Sequence, residues 1–333
     1  MEVLIVESAE NWEHPKPAPS SFSVPRTAGY RMRRQARRLL ARCAALLAAP
    51  RPEALQGVLG ILTYHRVAPA SYFRTAPSWN VTPPMFARQI AGLLQRGYRP
   101  VRLREALSVM QVGGQLPAKS FVVTFDDGYE NVFLHAWPVL ERYRVPATIF
   151  LATKYLDTPE PFPFEDWAGA RDRRVPASDW RPLSSDQCRR MLDVGGVEFG
   201  SHTHSHANFL ERPADLQRDL AQSCAVLRER FGVDSPTFSF PFGAVNPALV
   251  SVVRASPTVC GLTTFERRVR PGDDPFAWGR FGVEPTDSPR TLAAKLDGRY
   301  EALRDAARRW AGRRPDRVWH DPLATPRSSF VPE

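Results

Sequence analysis

The sequence predicts an α/β fold, a distorted (β/α) barrel of about seven parallel strands. From residue 57 onward, short β-rich runs alternate with helix-like stretches, as they do when parallel strands are joined by helices. The alternation continues to residue 297, a length that suits a single barrel. With 43% hydrophobic and 24% charged residues, the chain can bury a full core.

The β-rich runs fall at 58–64 ("VLGILTY"), 121–125, 147–152 ("ATIFLA"), 197–201, 237–240 and 259–264, with a short extended piece near 98–101. Helix-like segments lie between them, near 84–96, 130–142, 184–194, 213–231 and 247–255. The segment 213–231 carries the strongest signal. Pro213 suits a first helical turn, Leu216, Leu220, Cys224 and Leu227 recur at helical spacing, and Gly232 follows as a stop.

Three regions stand outside this rhythm. Residues 154–183 are rich in proline, tryptophan and charge and read as a long loop over one end of the barrel. Residues 1–56 read as an N-terminal extension, polar at first and then basic and amphipathic. Its segment "YRMRRQARRLLARCAALLAAP" fits either an export signal starting at Met32 or a helix lying on a membrane surface. Residues 298–333 read as a basic, proline-containing tail that begins with a last helix.

The net charge of +10 sits largely in the arginine-rich ends and reads as solvated surface, so no nucleic-acid partner is expected. No apolar run reaches the roughly 20 residues that span a bilayer. The four cysteines form no C-x-x-C pair, which excludes a cysteine-ligated zinc module but leaves one or two long-range bridges open.

Two stretches carry chemistry. "SFVVTFDDGYEN" (120–131) ends a buried strand in two adjacent carboxylates, a costly arrangement unless a cation offsets it. "EFGSHTHSHANF" (198–209) ends a later strand in His202, His204 and His206. An extended segment would point all three histidines one way, whereas a turn would bring His202 and His206 to one ion and leave His204 elsewhere. In a parallel α/β fold both strand ends lie on one face, so carboxylates and histidines converge. One carboxylate can then bind a divalent metal while the other stays free as general base. Gly128 permits the sharp turn that the pair needs. There is no G-x-S-x-G for serine-hydrolase chemistry and no glycine-rich phosphate loop.

"TFDDGYEN", "SHTHSH" and "SFPFG" (239–243) resemble, in order and spacing, the first three motifs of the NodB-type polysaccharide deacetylases of carbohydrate esterase family 4. The resemblance covers roughly residues 57–297. "TYHRV", "VTPPMFARQIAGLLQRGYRPVRLREAL" and "YRVPATIFL" further resemble the branch that acts on exopolysaccharides. It implies the NodB homology fold and hydrolysis of N-acetyl groups on amino sugars, with release of acetate. An N-acetylated glycan would be the partner and a divalent metal, foremost Zn²⁺, the cofactor. Asp126 would be the general base, Asp127, His202 and His206 the metal ligands, and the Phe242 backbone amide an oxyanion donor.

Two departures bear on the site. Ser239 and Phe240 stand where the third motif often carries an arginine, and no late Leu-x-His motif supplies a general acid. The only later histidine, His320, sits in the tail. In the exopolysaccharide branch a histidine at the end of the first strand lies on the catalytic face, which makes His65 the expected general acid. Tyr129, Pro241, Trp167 and Arg280 are candidates for substrate contact. Trp167 and Trp180 fit either stacking on sugar rings or pinning the long loop to the barrel.

Overall fold

In a computed structural model, the structure describes residues 28–69, 77, 79–165, 167–172 and 174–310. Strands β1 (Gly60–Tyr64), β3 (Ser120–Phe125), β4 (Ala147–Leu151), β5 (Val197–Ser201), β6 (Phe238–Ser239), β7 (Gly261–Leu262) and β8 (Phe281–Gly282) form one parallel sheet in the order β7-β6-β5-β4-β3-β1-β8. A two-residue β2 (Arg99–Pro100) pairs with the start of β3. The sheet curls into a distorted barrel. Trp278 bonds to β7, with its N–H on Gly261 O at 3.1 Å, and three residues further on Phe281 pairs with Leu62 of β1. One short segment thus ties the two ends of the sheet together. It was not expected from the sequence, because a two-residue strand leaves no periodic pattern.

Strand alternation divides the core into two layers. Leu62, Tyr64, Phe121, Val123, Phe125, Ile149, Leu151, Val197 and Phe199 pack outward against the surrounding helices. Residues of the other parity, Ile61, Val122 and Phe150, join Leu262 and Trp278 in a separate interior cluster. Helix α3 (Leu103–Gln111) closes the bottom of that cluster with Leu103, Ala106 and Leu107. Burial on both faces explains why the strands read as apolar runs.

The expected helices form as α2 (Pro83–Leu94), α5 (Ser185–Val194), α6 (Pro213–Phe231) and α7 (Pro247–Ala255). The stretch expected at 130–142 splits in two. Pro138 has no N–H to give Leu134, so Val132–Ala136 widens into a π turn, with Trp137 N–H on Val132 O, before α4 (Trp137–Tyr143).

Part of the segment expected as an N-terminal extension packs onto the helices around the sheet. Helix α1 (Ala28–Leu46) packs against α8 (Pro289–Leu296) and α9 (Arg299–Trp310), and its Ala41 and Ala44 are buried in the outer core. Arg34 and Arg38 hydrogen-bond Glu284 at 2.8–3.2 Å. Helix α9, expected as the start of the tail, belongs to the same body; the rest of the tail, including His320, and residues 1–27 lie outside the described residues. Met32, Leu39 and Leu46 of α1 remain exposed. Among the described residues no helix is long and apolar enough to cross a membrane. All four cysteines are free thiols, so neither of the bridges left open by the sequence forms.

Candidate active site

Alternation alone brings three of the predicted residues inward. His65 continues the parity of Ile61 and Thr63, Asp126 that of Val122 and Thr124, and His202 that of Gly200. Asp127 has the opposite parity and should face the helices. It is rescued by the backbone: Asp127 takes φ 72° and Gly128 φ 86°, and this left-handed turn swings the Asp127 carboxylate back over the barrel mouth. The sequence assigned the turn to Gly128 alone, but Asp127 shares it. A Cβ on Gly128 would lie 2.8 Å from Leu151 Cδ2.

A second left-handed turn serves the histidines. Thr203 has φ 66° and His206 φ 54°. Thr203 Oγ1 accepts the His206 N–H at 2.9 Å, and Asp219 on α6 accepts the amides of His204 (2.5 Å) and Ser205 (3.1 Å). Both rings then meet one oxygen: His202 Nε2 lies 3.5 Å and His206 Nε2 3.3 Å from Asp127 Oδ1. His204 turns away to Thr153 Oγ1 at 3.0 Å. Among the described residues eight non-glycines have positive φ, and four of them, Trp79, Asp127, His206 and Phe242, line the cavity. Such clustering is typical where geometry has been held for function.

Asp127, His202 and His206 place one ligand atom each within 4.8 Å of the others, all buried. The donor set suits a divalent cation with open positions. His202 Nδ1 lies 2.8 Å from Ser239 O; a proton there leaves the Nε2 lone pair facing Asp127. Burial pushes the Asp127 carboxyl up, but hydrogen bonds from His202 and His206 outweigh it and hold the group well below its usual range. Burial disfavours protonated His202, yet Asp126 and Asp127 raise its pKa. Both shifts report an anionic centre that favours positive charge.

Asp126 is held apart from the triad. Arg280 grips both its oxygens at 2.7 and 2.8 Å and also donates to Ser239 Oγ at 2.8 Å. Thr263 O (3.1 Å) and Thr124 Oγ1 (3.3 Å) fix the guanidinium. The arginine absent from the third motif is thereby supplied from the segment before β8. Burial would raise the Asp126 pKa, but Arg280 more than offsets this and keeps the group ionised. Arg280, expected as a candidate for substrate contact, lines the cavity but is fully buried, with its guanidinium committed to Asp126.

The remaining candidates separate. His65 lines the cavity with its ring stacked on Trp79 (centroids 5.4 Å, planes 21° apart). Withdrawal from water lowers its pKa, against opposing pulls from Asp127 and Asp126. Phe242 packs its ring edge on His206 at 4.6 Å. The amides after it are taken, Gly243 N–H by Phe240 O and Ala244 N–H by Pro241 O. Tyr129 lines the cavity, but its hydroxyl bonds Arg66 (2.6 Å) and Glu165 (3.2 Å). Pro241 is buried and shapes the turn without reaching the cavity wall. Trp167 also misses the cavity: it packs with Ala170, Val175 and Trp180 inside the long loop, which favours pinning over stacking.

That loop supplies residues the sequence did not single out. Phe164 stacks on His206 with centroids 3.8 Å apart. Buried Glu165 pairs with buried Arg66, accepts from Tyr129 OH, and takes the Trp167 amide at 2.9 Å. Arg66 lay within the quoted "TYHRV", whereas Glu165 and Trp79 had no local signal. The whole cavity measures about 390 Å³, within the common range for ligand sites.

Comparison with known proteins agrees with this geometry. A family model described as polysaccharide deacetylase matches residues 113–259. The poly-beta-1,6-N-acetyl-D-glucosamine N-deacetylase of Staphylococcus aureus (strain MRSA252) is 24% identical over 259 residues, covering 72% of this chain and 83% of its own. The protein of that name in Staphylococcus epidermidis is 25% identical over 256 residues, covering 71% and 82%. IcaB from Ammonifex degensii is similar in structure, with a TM-score of 0.60, 28% identity, and coverage of 72% of this chain and 98% of that one. The Streptococcus pyogenes deacetylase PplD shares the fold at 22% identity and the same TM-score of 0.60, covering 72% of this chain and 98% of that one. The first motif, the histidine turn and the curled parallel sheet thus lead to one conclusion: residues 113–259 form a polysaccharide deacetylase domain of the NodB type, the domain of hydrolases that act on carbon–nitrogen bonds other than peptide bonds.

Proposed function

We propose that this protein is a metal-dependent deacetylase that removes N-acetyl groups from amino-sugar residues of a polysaccharide and releases acetate. One observation carries the reading: an ionised, unligated Asp126 stands beside the Asp127–His202–His206 set in a cavity open to substrate. A pure binding module has no need of that base.

Asp127, His202 and His206 would hold the cation, with Zn²⁺ the best match to two imidazoles and a carboxylate. When bound, the cation supplies Lewis acidity toward the acetamide carbonyl and eases ionisation of a water. Asp126, oriented by Arg280, accepts the proton of the attacking water. The Phe242 N–H would donate to the carbonyl oxygen as it gains charge. His65, held by Trp79, gives a proton to the departing amine. Tyr129, Glu165 and Arg66 hold the loop that carries Phe164, which shields one side of His206 from water.

The names of the relatives make β-1,6-linked N-acetylglucosamine oligomers the first substrate to try. Purified protein with Zn²⁺ should release acetate from them, and chelation should stop it. Asp126→Asn should abolish release while Zn²⁺ stays bound. Glycan binding without acetate under any divalent metal would replace this reading with that of a silent glycan-binding domain. Acetate from simple non-sugar amides alone would make it an amidohydrolase of another class.

A further inference from the structure

The cavity does not end at the catalytic residues. Its lining also takes in His65 and Trp79, Arg37, Arg38 and Ala41 of α1, and Glu266, Glu284 and Tyr300. Helix α1 lies outside residues 113–259, the span matched by the family model.

A chain of contacts joins the helix to the site. The His65 ring stacks on Trp79, and the Arg34 guanidinium lies over the same indole, 5.6 Å from its centroid. Arg34 and Arg38 both clamp Glu284, and Tyr300 OH donates to Glu266 at 2.8 Å. Arg37 is held loosely, 3.7 Å from Glu266 with its side chain 58% exposed, so it is free to turn toward a ligand.

Fixed carboxylates and guanidinium donors together match a pyranose ring with several hydroxyls. Resting on the glycan-deacetylase reading above, we propose that α1 forms a subsite for a sugar residue flanking the one deacetylated, so that the chain's own N-terminal helix makes the enzyme selective for polymer over short fragments. Arg37 and Arg38 donate to ring hydroxyls, Trp79 with His65 and Arg34 packed on it walls the passage, and the clamp on Glu284 keeps the helix in register.

The test compares a β-1,6-linked N-acetylglucosamine pentamer with the dimer. Arg37→Ala should lower the pentamer-to-dimer ratio of kcat/KM about tenfold, through KM and with kcat unchanged, the scale of one charge-assisted hydrogen bond. Glu284→Gln, which frees α1, should lower the ratio further, and Arg33→Ala at an exposed position should leave it alone. Thermal melts show whether Glu284→Gln stays folded; if it does not, the surface variant Arg37→Ala decides alone.

Calorimetry with the pentamer on metal-free protein separates this idea from the catalytic reading. Weaker pentamer binding by Arg37→Ala supports the subsite even if no acetate is ever released. Acetate release with an unchanged ratio in Arg37→Ala overturns the subsite and leaves the deacetylase reading intact. Equal pentamer binding by both proteins, or none by the wild type, overturns it as well.

Discussion

Asp126 works in a setting of two opposed forces, burial that favours the neutral acid and a guanidinium that favours the anion. Arg280→Met removes the guanidinium and leaves His202 and His65 as the groups that still favour the anion. The acidic limb of the pH–kcat/KM profile should then move to higher pH, because Asp126 loses its main support for ionisation. The fold should lose about 3–5 kcal/mol, the usual result of stripping one partner from a buried pair, measured by urea unfolding. An unmoved limb would show that Asp126 is not the base. For His65, a role as proton donor predicts that His65→Ala lowers kcat by about 10²–10⁴-fold on an acetamide. The loss should shrink on an aryl acetate, whose leaving group needs no proton. An equal loss on both substrates would assign His65 to positioning instead.

At the level of elements, the two left-handed turns and the pinned loop decide whether the site exists. Gly128→Ala meets both a φ of 86° and the Leu151 side chain at 2.8 Å, so it should cost about 1–3 kcal/mol and displace Asp127. Glu165→Gln leaves Arg66 without its buried counter-charge and loosens the loop. Phe164 should then come off His206, and Zn²⁺ should pass to a chelator faster in stopped-flow exchange than from the wild type. The docking of α1 adds a pH dependence. Burial raises the Glu284 pKa, but Arg34 and Arg38 bring it below its ordinary 4.5. A depressed carboxylate stabilises the fold above its unfolded pKa, and the gain is lost as pH falls through the folded value. The difference in melting temperature between wild type and Glu284→Gln should therefore be full at pH 6–7, at least about 1.5 units above the ordinary carboxylate value, and vanish on acidification below it.

For the molecule as a whole, a ligand that binds only the folded state adds stability by mass action, about 2.7 kcal/mol at a hundred times its dissociation constant. Zn²⁺ should raise the melting temperature and a chelator should reverse it. His202→Ala should be insensitive to both. A wild type whose melt ignores Zn²⁺ would remove the metal from this site. Much of this was legible beforehand. Val122, Thr124 and Asp126 share a face by the period of a strand, and "SHTHSH" after a buried strand left two arrangements of which the Thr203 turn selects one. Arg280 stood out as a candidate, but its grip on Asp126 was not legible, since that partner lies 154 residues away. Glu165 was hidden in a loop with no period at all, and α1 looked like an extension because its paired charges were assigned to solvent.

By itself the sequence determined the parallel barrel, the carboxylates and imidazoles at its mouth, and the reaction they suit, because strand periodicity, turn residues and ligand spacing are local properties. Only the tertiary structure decided which arginine holds Asp126, which loop residue stacks on His206, and which helix walls the cavity. With 45 basic and 35 acidic side chains, local pattern cannot say which buried pairs form. The fold selects them by bringing distant charges together where water is excluded and an unpaired partner would be costly.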